Sequence, residues 1–161
     1  MAVGKSGVTL TGPWADAARK LATLDERYAA AMRKAVRISA ARFERRLVLH
    51  IQNQDLPWKP LSKAYRERKL REGYSTDIYI KTSSLQQSIT TSVSEDGMTA
   101  VVGAKRVAEH NGALVNVVAL MEFGSVKAGI PARPLFRPAW AASEEETRQE
   151  ILKALRVVMG K

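Results

Sequence analysis

MEFGSVKAGIPARPLFRPAW, residues 121–140, is the stretch on which the reading of the fold turns. The run leading into it, Val117-Val118-Ala119-Leu120-Met121, is unbroken apolar, the pattern of a strand buried on both faces. Glu122-Phe123-Gly124 closes that expected strand, and Gly124 can take the positive φ that stops it. Pro131, Pro134 and Pro138 follow. Each fixes its own φ and restricts the residue before it, which predicts an extended or turning path from Ile130 to Arg137. Arg133 and Arg137 project from that stiff segment. Glu122 is expected to pair with an arginine at the strand end, Arg133 being the candidate, in a structural role.

Outward from this stretch, a last helix is predicted from about Pro138. Glu144, Glu145 and Glu146 stand near its N-terminal end and Lys153, Arg156 and Lys161 towards its C-terminal end, an order that suits the helix dipole. Trp140, Ile151, Leu155 and Val158 mark its buried face. On the other side, Ala104–Asn116 reads as an irregular loop. Before it, Gln87–Ser94 alternates polar and apolar residues with period two, Glu95-Asp96-Gly97 supplies a turn with the favoured Asp-Gly pair, and Met98–Gly103 returns. A long helix is predicted from Thr23 or Asp25 to about Gln52, its apolar residues at Leu24, Tyr28, Met32, Ala35, Ile38, Phe43, Leu47 and Ile51. Thr23 and Glu26 have the spacing of a capping box. Pro13 suits the first turn of a preceding helix. Pro57 and Pro60 end the long helix, and Ser62–Arg71 reads as a short basic helix or turn with Ala64, Tyr65 and Leu70 apolar. Short strand, long helix, strands and helix together predict an α+β fold, with a long N-terminal helix and a C-terminal helix on a small, mostly antiparallel β-sheet.

A chain of 161 residues is read as one domain, 1–161, with residues 1–12 a flexible lead or a short edge strand at Val8-Thr9-Leu10. The absence of cysteine removes disulfide and thiol chemistry. No apolar run approaches membrane-spanning length and MAVGKSGVTL lacks a signal-peptide core, so synthesis and assembly in the cytoplasm are expected. The net charge of +10 is uneven: residues 19–46 hold nine basic side chains against three acidic, and residues 59–72 hold six against two. Arg33, Lys34, Arg37, Arg45, Arg46, Lys63, Arg66, Arg68 and Lys69 are therefore expected to form a basic surface that attracts polyanions or acidic partners.

Catalytic signatures are missing. His50 and His110 have no metal-ligand spacing around them, and there is no phosphate loop, dinucleotide fingerprint or nucleophile elbow. No catalytic residue, cofactor or metal is expected. Sequence-specific DNA reading is not expected either, since the long helix needs its apolar face for the core; non-specific DNA binding stays open.

The motifs at the end of the chain carry a resemblance. Glu122-Phe123-Gly124, then Ile130-Pro131-Ala132-Arg133-Pro134-Leu135-Phe136, is similar to the ending of tail-completion (neck) proteins of long-tailed phages, including the virion-morphogenesis protein of Mu-like phages. Trp58, Pro60, Leu61, Ser62 and Tyr65, then Thr82, Leu85, Ser88 and Ile89, resemble two further motifs of that family, with Ser83 where a glycine is usual. The resemblance implies a virion protein, not an enzyme, acting at the head–tail joint as a ring subunit, hexameric, beside head-connector and tail proteins and around exiting DNA. It places the interface at Glu122, Phe123, Gly124, Ile130, Pro131, Arg133, Pro134, Phe136 and Arg137. A ring needs a heterologous interface, for which Ser125–Gly129 and Ala104–Asn116 are the candidate arms. A tail-terminator ring protein and a non-specific basic DNA-binding protein are the alternatives.

Overall fold

The computed structural model of the chain describes residues 12–80, 84–105, 108–110, 113–115 and 117–159. The expected strand at 8–10 and the positions Thr82 and Ser83 lie outside them. Helix α1 spans Pro13–Ala22 with its proline in the first turn, and helix α2 spans Leu24–Asn53. Thr23 joins them but is no capping box: its hydroxyl donates back to the carbonyls of Arg19 and Lys20, because the residue is still in the last turn of α1. Helix α3, Lys63–Arg71, opens on Ser62, whose Oγ accepts from the amide of Tyr65. A short helix α4, Ser84–Ser88, leads into strand β1, Ile89–Val93, paired antiparallel with β2, Ala100–Ala104, in the register Thr91 opposite Val102. The turn is the expected one. Gly97 has φ 72°, and the Asp96 carboxylate accepts from the Ser94 hydroxyl and the Met98 amide.

Three segments differ from expectation. Gln87 and Ser88, expected to begin the first strand, lie instead in helix α4. The region 104–116 contains a second antiparallel hairpin, β3 (Ala108–His110) with β4 (Ala113–Val115). The run at Val117 is not a strand but helix α5, Val117–Phe123. Val118 and Glu122, one helical turn apart, are its buried residues, and Gly124 at φ 73° ends it by donating its amide to Leu120 O at 2.8 Å. An apolar run buried all round looks alike in a strand and a helix. The Ala-Leu-Met-Glu composition, with a glycine just past the end, decides for the helix here.

Helix α6, Phe136–Met159, runs antiparallel to α2. Arg27 donates to Val158 O, Arg42 meets Glu150 at 2.8 Å, and Arg46 meets Glu146 at 2.7 Å and the carbonyl of Ala142. Phe43 of α2 stands edge-on to Phe136 and Trp140 of α6. The first hairpin packs along another side of α2, with Glu44 accepting from the Thr91 hydroxyl. The fold is thus mostly helical α+β: α2 and α6 packed with a two-stranded antiparallel sheet. The core gathers Leu47, Ile51, Tyr79, Leu85, Ile89, Val118, Leu135 and Ala139. Trp140, expected inside, is half exposed at the rim, and no described helix is long and apolar enough to cross a membrane.

Candidate functional site

Three segments far apart in sequence meet at the N-terminus of α6. The first four amides of a helix lack intrahelical partners. Here Glu122, delivered by the last turn of α5, supplies them: Oε2 accepts from Leu135 N at 2.6 Å and Phe136 N at 3.0 Å, and Oε1 from Arg137 N at 3.2 Å. Glu122 is buried, so its charge rests on these amides and on the positive end of the helix dipole. The expected Glu122–Arg133 pair is not formed. Arg133 is buried too, but its guanidinium donates to Lys59 O at 2.6 Å and Pro60 O at 3.1 Å. Both groups answer backbone atoms at the join and not each other.

The backbone of Arg133 completes the join. Its amide donates to Met121 O at 2.6 Å, and its carbonyl accepts from the Tyr79 hydroxyl at 2.7 Å. Trp58 tilts against Tyr79 with ring centroids 5.1 Å apart and donates Nε1–H to Pro134 O at 2.6 Å. Burial raises the ionisation of the Tyr79 hydroxyl above its ordinary value; the nearby charge of Glu122 adds to this and that of Arg133 opposes it. Gly124 is required twice over. Its φ is positive, and a Cβ there would lie 2.8 Å from Ala132 N.

Over this join opens a cleft of about 310 Å³, lined by Pro57, Trp58, Phe123, Pro134, Arg137 and Pro138, with Glu122 and Ala132 at its base. Phe123 is 65 % exposed and Arg137 stacks its guanidinium 5.1 Å from the ring centre. Ile130, just before Pro131, pairs with Ser125 across the Val126–Gly129 turn. Val126 at that turn is fully exposed. The predicted interface residues Glu122, Phe123, Gly124, Ile130, Pro131, Arg133, Pro134, Phe136 and Arg137 are thus brought together. They divide into a buried frame (Glu122, Arg133, with Phe136 half-buried) and an exposed lip (Phe123, Pro134, Arg137).

Of the residues expected to form a basic surface, one is buried and several are held by partners. Lys69 is buried, its Nζ donating to Asp77 O at 2.9 Å and Ile80 O at 2.5 Å. Its neighbour Leu70 is 60 % exposed. Arg46 pairs with Glu146, Arg33 donates to Asp96 O at 2.7 Å, and Arg68 leans over the Tyr65 ring. Lys34, Arg37, Arg45, Lys63 and Arg66 are exposed. His50 hydrogen-bonds Asp55 through Nδ1 at 2.6 Å. Among the described residues no group of His, Cys, Asp and Glu could hold a metal ion.

Sequence reading missed Gln54. It ends α2 in the left-handed region at φ 53°. Its side chain then clamps Ile78, donating to the carbonyl and accepting from the amide, both at 2.9 Å. A non-glycine residue one place beyond a well-patterned helix was the available signal.

No family model matches the chain, and no solved structure matches it. It is 31 % identical over 107 residues to the uncharacterized protein MJ0331 of the archaeon Methanocaldococcus jannaschii, an alignment covering 65 % of this chain and 73 % of that protein. At that identity and coverage, the chain belongs to the same family as the Methanocaldococcus jannaschii protein.

Proposed function

We propose that the protein is a structural subunit of a phage neck, one that completes the tail and joins it to the DNA-filled head as part of a ring. The observation that carries this reading is the meeting of the family-like motifs. Trp58 and Pro60, the Glu122-Phe123-Gly124 turn and the Ile130–Phe136 segment hold one another through Glu122, Arg133 and the Trp58–Pro134 bond. Residues spaced across eighty positions of sequence serve one rigid, aromatic-lipped cleft, as a docking surface requires. The helical α5 departs from the strand that the resemblance implies before E-F-G, so the reading rests on the convergence and not on that element. In this reading the cleft receives a neighbouring subunit or connector protein, and the exposed Val126 turn is the arm.

Electron microscopy of lysates from a phage carrying an early stop codon in this gene tests it. Filled heads beside free tails are expected. Tails of abnormal length would move the protein to tail termination, and normal virions would overturn the neck reading.

A further inference from the structure

From Arg27 to Gln52, helix α2 carries seven arginines and lysines and a single carboxylate, Glu44, which is engaged by Thr91. The fold sorts these cations. Arg33, on the side of the first hairpin, is held by the carbonyl of Asp96. Arg42 and Arg46, on the side of α6, are neutralised by Glu146 and Glu150. Arg27 is tied to Val158 O. Between those flanks Lys34, Arg37 and Arg45 are exposed, with no carboxylate in ion-pair reach among the described residues.

At 100° per residue these three fall within about a quarter of the helix circumference, and at about 1.5 Å per residue they span about 16 Å of its axis. The exposed residue between them on that arc, Ala41, is small. The result is a narrow stripe of unneutralised charge with little bulk to keep a strand of phosphates at a distance.

We infer that the outer face of α2 binds the phosphate backbone of double-stranded DNA without reading its sequence, through Lys34, Arg37 and Arg45. Three observations select a phosphate backbone over an acidic protein. The line is one-dimensional, like the charge along a duplex. It has no apolar residue at its centre to anchor a protein partner. Two of its three members are arginines, whose planar donors suit phosphate. The inference stands whether or not the neck reading holds, since it uses the charge pattern of α2 alone.

The test is fluorescence anisotropy of the full chain with short duplexes of two unrelated sequences, over a series of salt concentrations. Three proteins are compared: wild type, the stripe variant Lys34→Gln/Arg37→Gln/Arg45→Gln, and the variant Lys20→Gln/Lys63→Gln/Lys127→Gln. The last removes the same charge from exposed positions on three other elements. Circular dichroism and melting curves establish that all three are folded. The stripe variant is expected to flatten the slope of log affinity against log salt by about 2 to 3 and to lose about a hundredfold in affinity at low salt, equally for both sequences. The dispersed variant is expected to keep most of both. Equal losses in the two variants would reduce the effect to net charge and overturn the assignment. So would failure of the wild type to bind duplex at low salt, or its preference for polyglutamate over DNA.

Discussion

Glu122 caps a helix to which it does not belong. An N-cap is ordinarily the residue just before the first turn. Here that place is filled by a proline-rich segment that cannot cap, and a carboxylate from thirteen residues upstream serves the amides of Leu135, Phe136 and Arg137. Glu122→Ala removes the acceptor of three amides, one of them buried, and is expected to cost about 3 kcal/mol. Glu122→Gln keeps one acceptor oxygen and is expected to cost about half as much. Urea denaturation with an unchanged m-value checks both, and a glutamine variant as stable as wild type would show that the charge contributes nothing. The structural role of Glu122 was legible in the sequence, but its partner was not. Pairing Glu122 with Arg133 looks economical on paper. In the folded chain it would leave three amides and two carbonyls unanswered, and the backbone prevails because its groups cannot move to water.

Among elements, the long helix, its proline-marked end, the basic helix α3, the Asp-Gly hairpin and the last helix were all readable. Each announces itself by local periodicity or turn chemistry. Helix α5 was not, because Val117–Met121 is apolar at every position and carries no period to read. The connection from α2 to the hairpin was not either. It is held by contacts whose donors are ordinary polar side chains, Gln54 on Ile78 and Lys69 on Asp77 and Ile80. Gln54 also occupies a strained backbone position, which separates its two roles. Gln54→Gly relieves the left-handed conformation while losing the clamp, and Gln54→Ala loses the clamp with no relief. The alanine variant is expected to be less stable than wild type by about 2 kcal/mol, and the glycine variant by about 1 kcal/mol. Thermal unfolding measures the difference, and an alanine variant as stable as wild type would deny the clamp any value.

For the molecule as a whole, acid and alkali act through different places. The Asp96 carboxyl lies below its ordinary value because the Ser94 hydroxyl and then the Met98 amide donate to it. Hydrogen bonds from Arg148, then Gln149, hold Glu145 at about 2. Depressed folded-state values stabilise above the unfolded value of about 4 and lose that contribution as pH falls through them. Both sites are in solvent, so the loss from each is small, and it adds to the repulsion of a basic chain whose acids are being neutralised. Tyr79 has the opposite sign. Its raised value stabilises fully below about pH 10 and is lost as pH rises beyond that. The melting temperature is therefore expected to be flat between about pH 5 and 9 and to fall on both sides. Tyr79→Phe is expected to melt lower at neutral pH, through loss of the bond to Arg133 O, but to fall less steeply in alkali. Parallel alkaline limbs for wild type and variant would place the alkaline loss elsewhere.

The distance in sequence between α2 and its main partner α6 sets an order of events during synthesis. Phe43, Leu47 and Ile51 emerge early on a helix that can form by itself, yet Leu135, Ala139 and the rest of α6 that cover them follow about ninety residues later. The polar contacts that tie α2 to α6 span 96 to 131 residues of sequence. Such non-local closure is slow for a protein so rich in helix. A ribosome-bound chain arrested before α6 would therefore carry a formed helix with an open apolar face, a substrate for chaperones, and would become protease-resistant in one step when the last helix is released.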